Sequence, residues 1–314
     1  MSDPRVSVVI PSSRPVRLGF ALDALAEQSI GCGRFEVIVV RDIPAGRPGR
    51  APAGLRVRWV DGDARGNIAA LRNRGWRAAR APIVAFTDDD CRPSPTWLEA
   101  LLDARPVGRR IVQGRTEPDP DELHLLHGLA RSKTVTTLSD WYETCNIAYP
   151  RELIERLGGF DERFAAIGED SDLGLRARES GATVDYVADA VVLHGVIPRA
   201  PWVALGEAAR RDTVPLLVAL HPDQRRALYG RVFWKHSHAR AVLALAGVLM
   251  ARRAPPLAIA AAAPYALANL DGRALARPSR LVRQVLGLLP RATVDLAEIA
   301  ATLRGAARAR TLVV

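Results

Sequence analysis

The first half of the chain alternates short, β-branched apolar runs with stretches of helical periodicity. The apolar runs predict strands at residues 6–10, 36–40, 56–60 and 83–87. Helical periodicity covers residues 18–26 and 68–79, and a Gly-, Pro- and Arg-rich segment at 43–54 predicts a loop. This alternation predicts an α/β fold with a mainly parallel central sheet flanked by helices.

Two further helices are predicted beyond the first half. Residues 151–158 form a short helical pattern that stops at Gly158 and Gly159. A second helix follows Gly168, and acidic residues occupy its first turn.

The last third of the chain has a different pattern. Apolar stretches at 239–251 and 254–270 are separated by Arg252 and Arg253. Neither stretch reaches the roughly 20 residues of a comfortable transmembrane helix, so they predict a re-entrant or interfacial helical pair. Residues 281–310 predict a terminal helix with leucine-rich and arginine-bearing faces. We therefore expect a catalytic domain over 1–198 and a basic, mainly helical region over 199–314.

Charge is divided unequally between these two regions. The 314 residues carry a formal net charge of +10. Residues 1–198 have 26 basic and 28 acidic side chains, a net of −2, and residues 199–314 have 18 basic and 6 acidic, a net of +12. A segregated positive region predicts a polyanionic partner, either nucleic acid or an anionic membrane face.

Composition favours the membrane over nucleic acid as that partner. The basic region has few aromatic residues for base stacking and long alanine-leucine runs suited to lipid. Its basic residues include Arg225, Arg226, Arg231, Lys235, Arg240, Arg277, Arg280 and Arg283. The alternative is a soluble helical cap whose arginines are solvated.

The cysteines and the N-terminus indicate a cytoplasmic location. Cys32, Cys91 and Cys145 lie far apart and show no metal-ligand or redox spacing. Residues 1–10 have an acid where a signal peptide needs basic residues, so we expect no export. With the basic region, this predicts a protein peripheral to the inner face of the cell membrane.

Three adjacent acids, Asp88, Asp89 and Asp90, follow the predicted strand at 83–87. Crowded carboxylates repel one another, so a cationic occupant is expected, and Mg²⁺ or Mn²⁺ holding nucleotide phosphates is the usual one. The alternative is an acidic turn before a helix that begins near Ser94 and Pro95. Ligands of open α/β sheets bind at the carboxyl ends of strands, where residues 11–13 and 41–42 also fall.

A second acidic group, Glu169, Asp170 and Asp172, lies at the predicted helix start after Gly168. Capping and the helix dipole account for one or two carboxylates there. Three acids in four positions exceed what capping needs, so one of them is predicted to be a catalytic base.

Several ordered segments together resemble one family. They are residues 6–15 (VSVVIPSSRP), 35–42 (FEVIVVRD), 72–75 (RNRG), 86–90 (FTDDD), 146–148 (NIA), 158–164 (GGFDERF) and 168–173 (GEDSDL). In order and spacing they resemble the inverting glycosyltransferases of family 2, which have the nucleotide-sugar-binding GT-A fold. The resemblance spans roughly residues 5–198.

The resemblance implies a role for each matching residue. Asp88 would contact the ribose or the metal, Asp90 would be the direct metal ligand of an Asp-x-Asp motif, and Asp170 would be the general base. The resemblance further implies donor contacts from Pro11, Ser12, Asp42, Arg72 and Asp89, with Arg72 near the base or diphosphate and Pro11 and Ser12 lining the nucleobase pocket. His194 resembles a histidine that adds a metal or phosphate contact in some members, although a lone histidine can also be structural.

Other residues near these motifs are acceptor or base candidates. Asp172 is the second choice for the base, and Glu169 could orient the acceptor or the neighbouring carboxylate. Trp141 and Tyr142 are predicted either to stack on the acceptor or to lie in the core, and Asn146 is an acceptor candidate. Arg41 stands where the family commonly has an aspartate, and the Gln-x-x-Arg-Trp motif of processive synthases is absent, which favours transfer of one sugar.

The leading hypothesis is a metal-dependent, inverting glycosyltransferase. It would move one sugar from a nucleotide-sugar donor to a lipid-linked or cell-envelope glycan, since many resembling bacterial enzymes with such tails use lipid-linked acceptors. The alternatives are a nucleotidyltransferase acting on sugar phosphates and a nucleic-acid-binding protein that uses the basic third of the chain.

Overall fold

The computed structural model describes residues 3–13, 15–42, 51–62, 66–270 and 278–314. Most of the loop predicted at 43–54, together with Arg277 and the side chain of Arg280, lies outside the described residues. The chain divides into two compact units. The first, here called the sheet unit, comprises Met1–Leu126 and Arg131–Ile197, and the second, the helical unit, comprises His127–Ala130 and Pro198–Val314.

The sheet unit is built on eight strands. They are β1 (Val6–Ser12), β2 (Phe35–Arg41), β3 (Val57–Asp61), β4 (Ile83–Phe86), β5 (Cys91–Pro93), β6 (Arg110–Pro118), β7 (Ile147–Pro150) and β8 (Thr183–His194). The four strands expected in the first half are β1 to β4, with ends shifted by one or two residues. Helices α1 (Pro15–Ala26), α2 (Ile68–Ala78), α3 (Trp97–Asp103), α4 (Arg151–Arg156) and α5 (Glu169–Glu179) flank the sheet.

The described strands form one mixed sheet in the order β3-β2-β1-β4-β7-β6-β8-β5. The pairs β1–β2, β1–β4, β2–β3 and β6–β8 are parallel. Strand β7 runs antiparallel to both of its neighbours, β4 and β6, and β5 runs antiparallel to β8. Because β1, β2 and β4 are parallel neighbours, the residues that follow them meet at one edge of the sheet.

The core explains why these strands are apolar along their whole length. Every residue of β1 and β4 is buried, as expected for strands covered on both faces. Helix α2 packs closely on β1, because a Cβ added at Gly75 would lie 2.3 Å from the Val9 side chain. This close approach brings Arg72, one turn earlier in α2, towards the acidic edge.

The helical unit contains the remaining helices. They are α6 (Pro201–Ala208), α7 (Val214–Leu220), α8 (His236–Met250), α9 (Pro255–Asn269) and α10 (Pro278–Ala309). The helical pair predicted around Arg252 and Arg253 is therefore α8 and α9, and the predicted terminal helix is α10. None of the helices within the described ranges combines the length and apolar character needed to cross a membrane.

Candidate functional site

The metal-ligand candidates meet where β4 and β8 end and β5 begins. Asp88 and Asp90 lie in the turn between β4 and β5, and β5 pairs with β8 so that Cys91 lies opposite His194. His194 Nε2 is 3.8 Å from Asp90 Oδ1. One ligand atom from each of Asp88, Asp90, Cys91 and His194 lies within 4.8 Å of the other three, an arrangement able to hold a metal ion.

The donor set suits a hard or borderline divalent cation. Two carboxylates and an imidazole are oxygen and nitrogen ligands of the kind that Mg²⁺ and Mn²⁺ accept. Burial and the neighbouring Asp90 and Cys145 raise the pKa of the Cys91 thiol well above its usual range. The thiol is therefore protonated, and Cys91 is the weakest ligand of the four.

Asp89, the middle residue of the acidic triplet, points to different partners. Its Oδ2 accepts hydrogen bonds from Ser12 Oγ at 3.1 Å and from the Ser13 backbone N–H at 2.8 Å. Asp89 therefore fixes the chain just beyond the end of β1. Asp88 and Asp90 are therefore the metal-ligand candidates of the triplet, whereas Asp89 stabilises the segment predicted to line the nucleobase pocket.

The residues predicted to contact the nucleobase lie at the same edge of the sheet as Asp89. Pro11 and Ser12 are buried at the end of β1, and the Asp42 N–H donates to the Ser12 carbonyl at 2.9 Å. Asp42 Oδ1 accepts from the Gly66 N–H at 2.9 Å, which ties the end of β2 to the turn before α2. Arg41 forms an ion pair with Asp61, so its charge is balanced within the sheet.

Arg72 connects the two acidic groups of the sequence. Its buried guanidinium, with a side chain only 5% exposed, donates from Nη1 to Glu169 and from Nη2 to Asp88 at 3.0 Å. Burial alone would lower the pKa of Arg72, but the charges of Asp88, Glu169 and Asp170 outweigh burial and raise it. The structure places Arg72 between two carboxylates, where it holds the start of α5 against the metal-ligand group.

The three acids at the start of α5 occupy different environments. Asp172 is buried and forms an ion pair with Arg176 at 2.8 Å. Arg176 also donates to the carbonyls of Leu157 and Gly159, so Asp172 belongs to a structural network. Glu169 is also buried, and its Oε2 has no hydrogen-bond partner within the described part of the chain.

Asp170 has the environment expected of a general base. Burial first and the adjacent charge of Glu169 second raise the pKa of Asp170 to about 7, against opposing contributions from Arg72 and Lys133. A carboxylate whose pKa lies near neutral pH can both accept and release a proton under working conditions. Among the three acids, Asp170 is therefore the best candidate for proton transfer.

Two charged residues near Asp170 were missed by the sequence reasoning. Lys133 Nζ lies 3.3 Å from Glu143 Oε1, and Gln113 Nε2 donates to Glu143 Oε2 at 3.1 Å. Both charges act on Asp170, in opposite directions. Lys133 is one of only two lysines in the chain, but rarity alone does not mark a functional residue. No local motif marks either residue.

The acceptor candidates do not come together as expected. Trp141 is partly buried, and its carbonyl accepts from Ser171 Oγ at 2.9 Å, so it lies beside the start of α5. Tyr142 is buried against Gly174, where an added Cβ would be 2.1 Å from the Tyr142 ring, so the core alternative is what the structure shows.

Both polar atoms of the Asn146 side chain form hydrogen bonds inside the sheet unit. Its Oδ1 accepts from Trp97 Nε1 at 2.8 Å, and its Nδ2 donates to the carbonyls of Arg115 and Ala190 at 2.8 Å each. These bonds hold β6, β8 and α3 around the start of β7. The side chain is 1% exposed and does not join the other candidates.

The mixed sheet, with helices flanking it and acidic residues at one edge, has the GT-A architecture. The structure is similar to that of the mannosyltransferase PcManGT from Pyrobaculum calidifontis in complex with GDP-Man and Mn²⁺, over 97% of this chain and 87% of that one, with a TM-score of 0.52 and 21% identity. It is also similar to S. aureus TarS 1-349 in complex with UDP-GlcNAc, over 98% and 92% of the two chains, with a TM-score of 0.51 and 15% identity. At these identities the likeness shows the fold.

Sequence comparison supports the same assignment. Residues 7–137 of the 314 match the model of Glycosyl transferase family 2. The resemblance of the motifs to glycosyltransferase family 2, with its GT-A fold, is confirmed.

Named relatives are also glycosyltransferases. The validoxylamine A glucosyltransferase of Streptomyces hygroscopicus subsp. jinggangensis is 28% identical over 224 residues, which covers 57% of this chain and 52% of that protein. The pre-mycofactocin glycosyltransferase of Mycobacterium tuberculosis is 32% identical over 175 residues, covering 51% and 37% respectively. The chain thus spans about half the length, or less, of these two relatives.

Proposed function

We propose that this protein is a metal-dependent, inverting glycosyltransferase that transfers a single sugar from a nucleotide-sugar donor. The observation that carries the proposal is the linkage made by Arg72. One guanidinium holds a carboxylate of the metal-ligand group, Asp88, and a carboxylate next to the base candidate, Glu169. A glycosyl transfer needs both groups at a single reacting centre.

Asp88, Asp90 and His194 would hold Mg²⁺ or Mn²⁺. When bound, such an ion neutralises the negative charge that develops on a departing nucleoside diphosphate. The imidazole among the ligands favours Mn²⁺, which is softer than Mg²⁺. Pro11, Ser12 and Asp42 would surround the nucleobase, and Asp89 would keep that wall in place through Ser12 and Ser13.

Asp170 would take the proton of the acceptor hydroxyl as that oxygen attacks the anomeric carbon. Glu169, held by Arg72, keeps a second negative charge beside Asp170 and so makes it a stronger base. A single base and a single displacement predict inversion at the anomeric carbon. Trp141 is the acceptor-contact candidate that remains, because Asn146 and Tyr142 are committed to the core.

For the acceptor we propose a lipid-linked or cell-envelope glycan, used at the inner face of the cytoplasmic membrane. The support is the +12 charge of residues 199–314 together with the apolar helices of that region. A small-molecule acceptor is the second candidate, because two relatives are named for validoxylamine A and pre-mycofactocin.

A donor screen tests the proposal. The protein is heated with Mn²⁺ and each member of a panel of nucleotide sugars, and a cognate donor should raise the unfolding temperature because it binds the native state. Incubation with that donor should release a nucleoside diphosphate. Release of pyrophosphate would instead support a nucleotidyltransferase, and no donor-induced shift with any nucleotide sugar would reject the proposal.

A further inference from the structure

The hairpin formed by α8 and α9 has small residues at the contact between its helices and large apolar residues on its exposed surface. Ala241, Gly247, Ala258 and Tyr265 are buried between the helices or against α10. The contact is close, since a Cβ added at Gly247 would lie 2.8 Å from the Ala258 carbonyl oxygen and 2.9 Å from the Ala261 Cβ. Small residues at a close helix contact are the packing mode of helices in an apolar solvent.

Much of the exposed surface of this hairpin is apolar. Its exposed side chains include Leu243, Leu245, Val248, Leu249, Met250, Leu257, Ile259 and Leu267, with Leu249 79% and Ile259 72% exposed. Residues 241–251 and 254–270 contain no charged side chain. An apolar surface of this extent marks a site that something apolar covers.

The charge around this apolar surface indicates which kind of partner covers it. Arg252 and Arg253 are exposed at the turn between the two apolar helices, and residues 199–314 carry +12. That charge attracts an anionic surface and opposes the approach of a second, identical unit. Each helix has 15 residues and so is about 22 Å long, shorter than the roughly 30 Å hydrocarbon core of a bilayer. These features fit a hairpin that lies along the lipid interface.

Building on the membrane location in the proposed function, we propose that the exposed apolar surface of the α8–α9 hairpin embeds in an anionic lipid surface while Arg252 and Arg253 contact its head groups. The start of α10 repeats the pattern within the helical unit. Val282, Val285, Leu286 and Leu289 are exposed at helical spacing, and Arg283 is exposed beside them.

Sedimentation of the full chain with phosphatidylcholine vesicles, with and without phosphatidylglycerol, tests the proposal. The wild type should bind the anionic vesicles more tightly than the neutral ones. The double variant Leu249→Gln/Ile259→Gln should lower the partition coefficient at least about tenfold on anionic vesicles. Arg252→Gln/Arg253→Gln should lower it by about fivefold per arginine on anionic vesicles only.

Matched controls separate lipid binding from folding and catalysis. Val16→Gln/Leu312→Gln removes two other exposed apolar side chains, 80% and 58% exposed, and should leave vesicle binding unchanged. Asp90→Asn should also bind vesicles normally, so a failure of the glycosyltransferase proposal would not alter this result. Far-UV circular dichroism melting verifies that each variant is folded.

Two results would overturn the proposal. One is vesicle binding that the hairpin variants leave at the wild-type level. The other is absence of vesicle binding together with a dimer, measured by light scattering, that Leu249→Gln/Ile259→Gln dissociates, which would assign the surface to a second copy. Neither result would affect a donor-induced rise in unfolding temperature.

Discussion

Two clusters of acidic side chains in this protein differ in how their charges are balanced. The edge cluster consists of Asp88, Asp90, Glu169 and Asp170 with Arg72, in the sheet unit. The helix cluster consists of Asp295 and Glu298 with His238, Lys235 and Arg211, in the helical unit. Ligand atoms of Asp88 and Asp90 lie within 4.8 Å of one another and of Cys91 and His194, and those of His238, Asp295 and Glu298 lie within 4.8 Å of one another. Proximity alone therefore does not distinguish the two clusters.

Charge balance distinguishes the two clusters. In the helix cluster every carboxylate oxygen has a partner. Asp295 accepts from Ser237 and Tyr265, and Glu298 contacts Lys235, His238 and Arg211. Two carboxylates face two permanent cations, so the cluster needs no further charge.

The edge cluster is not balanced in this way. Arg72 pairs with two of the cluster's four carboxylates, Asp88 and Glu169, and the charge of Lys133 acts on a third, Asp170. Glu169 Oε2 has no hydrogen-bond partner within the described ranges. The pKa values differ accordingly. Burial raises the pKa of Asp170 to about 7, whereas for Glu298 the effect of burial is outweighed by the His238 hydrogen bond and by Lys235 and Arg211, which lower the pKa to about 2. An acid cluster with excess negative charge is expected to bind a cation, and a balanced one is expected to have a structural role.

Replacing one acid in each cluster should give the largest difference in turnover between the two clusters. Asp90→Asn should lower metal-dependent turnover of the nucleotide sugar by about a thousandfold or more, because it removes the direct ligand of the ion that stabilises the leaving group. Asp295→Asn is the matched control and should retain near wild-type turnover at a temperature where it is folded. Full activity of Asp90→Asn would reject the metal assignment.

Asp170→Asn separates donor binding from transfer. The amide cannot accept a proton, so transfer should fall by about 10²- to 10⁴-fold while the donor-induced thermal shift remains. Asp172→Asn is the comparison variant, since Asp172 is engaged by Arg176 and should affect stability more than the rate. Unchanged transfer by Asp170→Asn would mean that another group is the base.

Glu298→Gln should lower the free energy of unfolding and leave the rate of sugar transfer unchanged. It leaves Lys235 and Arg211 without their buried counter-charge, and such a loss costs about 3 kcal/mol of unfolding free energy. Urea denaturation measures the change. A stability equal to that of the wild type would show that the helix cluster is not a structural network.

The two clusters should also respond differently to pH. Asp170 must lose its proton to act as a base, so kcat should rise by about tenfold per pH unit up to pH 7 and then level off. The raised pKa of Asp170 also means that its contribution to stability is present in acid and is lost as pH rises through 7.

Glu298 has the opposite sign, because its pKa is lowered on folding. Its contribution to stability is present above its ordinary pKa of 4.5 and is lost as pH falls towards 2, by about 1.4 kcal/mol per pH unit. A rate profile and urea melts over the same pH range check both statements. A rate independent of pH between 5 and 8, a range within about two units of the Asp170 pKa, would contradict the role of Asp170.

Local sequence patterns predicted much of the fold and most of the candidate site. Strands β1 to β4 are apolar throughout, and Asp88 to Asp90 follow directly after β4, so their position at a sheet edge follows from the pattern. By contrast, β5 has only three residues and gives no clear strand signal, and the first half of β8 has exposed polar positions. The pairing of β5 with β8, which brings His194 to Asp90, depends on tertiary structure.

The contacts that organise the site are long-range. Arg72 and Glu169 are 97 residues apart, and no periodicity links them. Asn146 was expected to contact the acceptor because it belongs to a motif, but its amide binds the backbone of the sheet. A motif identifies which residues matter in a family, and only the packed structure shows whether a side chain faces the ligand or the core.

Titration of Mn²⁺ followed by electron paramagnetic resonance tests the central claim most directly, because only free Mn²⁺ gives the strong six-line solution signal. If the edge cluster holds the ion, the wild type and Glu298→Gln should each remove one equivalent of Mn²⁺ from solution, and Asp90→Asn should remove none. Equal binding by Asp90→Asn and the wild type, or loss of binding in Glu298→Gln alone, would contradict the assignment.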